Sequence, residues 1–222
     1  MEGGGGKFAY ARDGQLGLLT GALRGEGAGL QIDAVDEDGR TLLHWASSGG
    51  HADMVEMLLA QRASANTADE EQWTPLISAC SAGHLAVART LVKAGARLDA
   101  RTAAGATALH YAASKGRAEV VDFLLAQGAT AEAADARGDT PLHRAARSVA
   151  ATRALLAAGA APGRRNRRGR TALHEAAEDG QREVAALLLA AGVGADDADN
   201  EGATPRSLGG QALEDIWPRT KK

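Results

Sequence analysis

Aromatic residues make up only 3% of the 222-residue chain, and there is one cysteine, Cys80. A single cysteine excludes an internal disulfide framework and fits a reducing compartment. No apolar run is long enough to span a bilayer. The opening MEGGGGKFAY lacks the hydrophobic core of a secretion signal, so the expected location is cytoplasmic and nuclear. The net charge of -3 is too small to point to nucleic acid or a membrane. What the chain has in plenty is alanine and leucine, within an apolar content of 45%. That composition suits closely packed short helices and not an open sheet.

The dominant signal is a repeat. Thr41, Thr74, Thr107 and Thr140 stand 33 residues apart, followed by Thr171 and Thr204. A fixed period of this size marks stacked supersecondary units. Each Thr reads as a helix N-cap, with Pro75, Pro141 and Pro205 at the first helical position, where no N–H is needed. In the fourth unit Leu109, Ala112 and Ala113 share one helical face, and Gly116 ends that helix. Val120, Val121, Leu124 and Leu125 mark the apolar face of a second helix, closed by Gly128. One such pair cannot bury its own apolar face, so the units must stack. Residues 1–7 are mostly glycine and are expected to be disordered, 8–217 form the repeat domain, and 218–222 are a frayed tail. The degenerate first unit, from Phe8 to about Ala34, and the last unit are expected to be end caps. The fifth unit is two residues short, 31 from Thr140 to Thr171. The missing residues fall inside its helix pair, which predicts a tightened turn or a shortened second helix.

This period, with Thr140-Pro141-Leu142-His143-x-Ala145-Ala146, is identified as that of ankyrin repeats. The expected fold is an all-α ankyrin-repeat solenoid of seven helix pairs with β-hairpin-like finger turns. A narrower set of residues resembles the gankyrin-like family of proteasome-assembly chaperones: Leu43–Ser47, Leu109–Lys115, His143–Ala146 and Trp73, in seven units. That resemblance implies a monomer that grips the C-terminal domain of one ATPase subunit of the proteasome base with its concave face. It implies basic contacts at Arg40 and Lys115 and acidic ones at Glu70 and Asp179, with Glu178 beside it. The Leu-x-Cys-x-Glu motif known from the sixth unit in that family, associated with retinoblastoma-type pocket proteins, is absent, because Glu175–Asp179 has neither the Leu nor the Cys.

Independently, the residue four after each Thr is expected on the open face of the first helix: Trp45, Ser78, Tyr111, Arg144 and Glu175. The next turn presents Ser48, Ser81, Ser114 with Lys115, Arg147, and Glu178 with Asp179. These positions vary and look free of core duty, so a protein-binding surface is expected there, with Trp45 and Tyr111 as anchors each worth roughly 2 kcal/mol or more. A generic adaptor or inhibitor of another protein, such as a kinase, is the alternative.

Four histidines, His44, His110, His143 and His174, recur one per unit. Units about 10 Å apart cannot bring them around one ion at bond lengths near ~2 Å, so no metal site is expected. No catalytic constellation, phosphate-binding loop or paired-carboxylate site stands out, so no enzyme activity and no cofactor are expected. Arg164, Arg165, Arg167, Arg168 and Arg170 form a basic finger without interleaved aromatics, which argues against RNA or DNA and for a solvated tip in a set of fingers that alternate in charge, acidic at Asp36, Glu37, Asp38 and at Asp69, Glu70, Glu71, and acidic again at Asp196, Asp197 and Asp199.

Overall fold

The computed structural model describes residues 3–25 and 32–217. Among them the chain forms seven helix pairs and no strand, apart from one isolated bridge between Val35 and Thr41. It divides into two compact units, residues 1–103 and 104–222.

The first unit holds α1 (Gly3–Arg12), α2 (Leu16–Gly25), α3 (Leu42–Gly49), α4 (Ala52–Ala60), α5 (Pro75–Ala82) and α6 (Leu85–Lys93). α1, α3 and α5 stack as one layer, and α4 packs on α6 in a second. From Gly3 onward the glycine run belongs to α1 and not to a structureless leader. Leu19 of α2 is fully buried, in keeping with a capping unit, while Leu18 beside it stays exposed. The charged tail 218–222 lies outside the described residues.

The second unit holds α7 (Ala108–Ser114), α8 (Ala118–Ala126), α9 (Pro141–Arg144), α10 (Val149–Ala157), α11 (Ala172–Glu178), α12 (Arg182–Ala190), α13 (Pro205–Gly209) and a 3-10 helix (Gly210–Ile216). Its layers are α7, α9, α11 and α13 on one side and α8, α10, α12 and the 3-10 helix on the other. Leu109, Val120, Val121 and Leu124 are buried, as their spacing requires, and each such side chain contributes about 1.5–3 kcal/mol. Cys80 is buried in the first unit's core, and that burial pushes its thiol pKa up to about 12.

The short fifth repeat departs from expectation. Its first helix, α9, is the one cut, to four residues, while α10 keeps the nine of its neighbours. Ser148 caps α10 by accepting from the Ala151 amide at 3.3 Å, and Thr152 Oγ1 donates to the Ala145 carbonyl at 3.1 Å. These two ties hold α10 in register between α8 and α12, so the deletion is absorbed upstream of it.

Thr41, Thr107, Thr140 and Thr171 cap their helices together with the histidine three residues on. In the first of these the Thr41 amide donates to His44 Nδ1 at 3.1 Å, and Nε2 lies 3.0 Å from the Trp73 carbonyl. An amide can only donate, so Nδ1 carries no proton and Nε2–H donates to the next repeat. His110 and His143 repeat this tie to the carbonyls of Asp139 and Arg170, both at 3.0 Å. These three histidines are therefore inter-repeat struts. Burial first, then nearby charge for His44 and His174, lowers the pKa of His44, His143 and His174 below the ordinary 6.5. The folded state thus binds fewer protons than the unfolded chain. The stability these groups contribute is full above the ordinary histidine range and is lost as pH falls through it. The melting temperature is expected to drop between about pH 7.5 and about pH 5.5, in a scan of thermal melts.

Gly95, Gly128, Gly159 and Gly192 end their outer helices with φ between 84° and 91°. In the second repeat Arg62 occupies the same place with φ 67°, a conformation that favours glycine. Arg62→Gly is expected to stabilise the chain by about 0.5–1 kcal/mol, read as a raised melting temperature.

Candidate functional site

The functional surfaces follow from how each finger turn folds back over the helix after it. Asp36, Asp69, Asp135, Asn166 and Asp199 each close a turn by accepting, through Oδ1, from the amides two and four residues on. That fold-back places the first-helix residue nine positions later beside the same side chain. Trp45 Nε1 donates to Asp36 Oδ2 at 2.7 Å, and Arg144 Nη2 pairs with Asp135 Oδ2.

In the first unit a groove of about 520 Å³ lies between two fingers and the helices behind them. Asp38 and Arg40 form one wall, Asp69 to Glu71 and Trp73 the other, with Ser48, Ser78 and Ser81 from α3 and α5 among its lining. Glu70 and Glu71 are exposed, and Trp73 is half-buried. The Arg40 guanidinium stacks on the Trp45 ring, 4.1 Å from its centroid, and lies 3.9 Å from Asp69. Arg40 and Trp45 thus brace each other, leaving part of each open. Ser78, expected on the open face, is buried.

In the second unit a smaller groove of about 300 Å³ is lined by Tyr111, Ser114, Asp135, Arg137 and Arg144, among others. Tyr111 is half-buried, and Lys115, the C-cap of α7, is exposed. The other charges expected here all have internal partners. Arg144 lies between Asp135 and Asp139, the latter at 3.5 Å. Burial alone would raise the Asp135 pKa, but hydrogen bonds from Arg144 and from the turn amides outweigh it and hold it low. Asp179 accepts from Nε and Nη2 of Arg147, at 2.6 and 2.7 Å, and that contact lowers its pKa. Arg170, expected in a solvated tip, is buried, 3.2 Å from Glu175 and 2.6 Å from Glu178. Burial raises the Glu175 pKa in spite of Arg170. Sequence reasoning missed Glu71 and Asp135. Both stand at fixed offsets within the fingers, a signal visible once the turns are aligned.

Among the described residues no cluster of three or more His, Cys, Asp or Glu is placed to hold a metal ion. Among them, too, no helix is long and apolar enough to cross a membrane.

A family model described as ankyrin repeats (3 copies) matches residues 8–102 and 96–166, and one described as ankyrin repeats (many copies) matches 155–208. The chain belongs to the ankyrin-repeat family. Among solved structures, this ankyrin-repeat chain is similar to the human ASB11 ankyrin repeat domain, with TM-score 0.86 and 26% identity, covering 97% of this chain and 99% of that one. It is also similar to the ankyrin repeat domain of Bcl-3, a member of the IkappaB protein family, with TM-score 0.78 and 26% identity over 95% of this chain and 96% of that one. Shorter stretches match acyl-CoA-binding domain-containing protein 6, at 36% identity over 55 residues in Homo sapiens and over 52 in Rattus norvegicus. These cover 25% and 23% of the chain, and only 19% and 18% of the relatives' own length. The ankyrin-repeat fold is typically a non-enzymatic scaffold for binding other proteins.

Proposed function

We propose that this ankyrin-repeat protein is a binding adaptor whose partner is the C-terminal domain of a proteasome base ATPase, held during assembly of the regulatory particle. The observation that carries a polypeptide partner is the groove of the first unit. Its exposed Glu70 and Glu71 stand beside half-buried Trp73, which offers an aromatic anchor and a negative rim to a basic side chain. Exposed Lys115 beside half-buried Tyr111 supplies the complementary sign in the second unit. Charges of both signs set orientation and encounter rate more than affinity. The proteasomal identity of the partner rests on the resemblance in Leu43–Ser47 and Leu109–Lys115.

A second reading is an adaptor or inhibitor of some other protein, such as a kinase. It is favoured by the internal ion pairs of Glu178 and Asp179, which withdraw part of the contact set that resemblance implies, and by those of Arg144 and Glu175 on the face expected to be open. Affinity purification of the tagged full chain from cell extract separates the two. Base ATPases recovered without core-particle peptidase activity support the assembly reading. A different protein, recovered in stoichiometric amount without base subunits, supports the second.

A further inference from the structure

The basic finger differs from the acidic ones at its turn-closing residue, and the difference has a chemical direction. At that position the second, third, fifth and seventh fingers carry Asp36, Asp69, Asp135 and Asp199, and the fourth carries the neutral Thr102. The sixth carries Asn166, whose Oδ1 still accepts from the amides of Arg168 and Arg170 at 2.9 and 3.0 Å. The turn is kept and its negative charge is dropped. The Asn166 amide also donates to Asp139 Oδ1 at 2.7 Å, which a carboxylate could not do.

The five arginines around that turn have separate duties. Arg170 is buried against Glu175 and Glu178. Arg165 Nη1 donates to the carbonyls of Gly169 and Ala198, at 3.0 and 2.7 Å, so it is fixed but still cationic. Arg168 lies 3.7 Å from exposed Glu201. Arg164 and Arg167 are exposed and carry no ion pair among the described residues. The backbone holding them is not loose. The Arg167 amide donates to the Arg137 carbonyl at 3.1 Å, and the Arg167 carbonyl accepts from Asn200 Nδ2 at 3.0 Å. Gly138 permits this approach, since a Cβ there would lie 2.9 Å from the Arg167 nitrogen. Arg137, exposed and 3.2 Å from Asp139, joins the row from the neighbouring finger.

We propose that the fifth and sixth fingers, through Arg137 and Arg167 at their tips and Arg164 in the segment leading into the sixth, dock an extended acidic segment of a partner polypeptide. Guanidinium forks match carboxylates in two-point contacts. The two finger tips meet at the backbone contact between Arg137 and Arg167, so a short run of acidic residues in an extended chain can reach guanidinium groups of both fingers. No aromatic side chain lies within residues 161–170 to stack nucleobases, and Ala161, Pro162 and Gly163 offer little apolar surface to insert into a bilayer. This surface does not depend on the proteasomal reading.

The test is fluorescence anisotropy of the full chain with a labelled glutamate-rich peptide of about twelve residues. Binding is expected, and it should weaken about tenfold or more between about 50 mM and about 200 mM salt. The double variant R164E/R167E is expected to bind about tenfold more weakly or worse, with an unchanged melt. The double variant R164K/R167K should retain the salt dependence, with a loss of about threefold. No binding of the peptide, equal binding by R164E/R167E, or tighter binding of single-stranded RNA or phosphatidylserine vesicles than of the peptide would overturn the proposal.

Discussion

Arg170→Ala is expected to destabilise the second unit by about 3 kcal/mol at neutral pH, because it empties the buried site of the guanidinium and leaves the half-buried Glu175 without its cation. The guanidinium is 2% exposed, whereas Glu175 retains 29% and Glu178 53% of their side-chain exposure. Most of the loss therefore comes through Glu175, whose pKa burial already raises. Without its cation, Glu175 would be raised further. A carboxylate raised in the folded state destabilises it when charged, and protonation on acidification relieves that penalty. The deficit of Arg170→Ala relative to the parent should accordingly shrink as pH falls from about 7 toward about 5, measured by chemical denaturation at each pH. A constant deficit would indicate that Arg170 acts by packing alone. An unchanged stability at neutral pH would mean that the Arg170 pocket does not form.

Leu109→Ala carries a loss of the same order, roughly 2–5 kcal/mol, through a different cause. Leu109 is 1% exposed in α7, in the layer that α7 shares with α9, and the truncated side chain leaves a cavity that its neighbours can only partly fill. This effect should be nearly independent of pH, in contrast to that of Arg170. In a repeat array the damage also spreads, because each unit relies on its neighbour for burial. A melt of Leu109→Ala unchanged from the parent would place Leu109 outside the core.

The seven helix pairs were legible because their determinants are local and repeated. Thr74 with Pro75, Thr140 with Pro141, and Thr204 with Pro205 each cap a helix where their spacing predicts one. The position of the shortening in the fifth repeat was not legible. A two-residue deficit says nothing about which helix yields, and the answer lies in Ser148 and Thr152, which fix α10. At the candidate site, exposure was more legible than pairing. Trp45, Trp73, Tyr111 and Lys115 do keep exposed surface. The occupation of Arg144 by Asp135 could not be read from a helical pattern, since nine residues is neither a helix nor a strand spacing. It arises only because the finger folds back over the helix. Arg170 misled for a related reason. It belongs to a run of exposed arginines, yet it is the residue just before the Thr171 cap and turns inward.

The central claim is that the grooves beside Trp73 and Tyr111 hold another polypeptide through exposed charges that the fold does not need. It is tested most directly by purifying partners with the tagged full chain and with the triple variant E70K/E71K/K115E from the same extract. The account predicts a base ATPase recovered by the parent and lost from the variant, with superimposable thermal melts. Equal recovery by both proteins would contradict it.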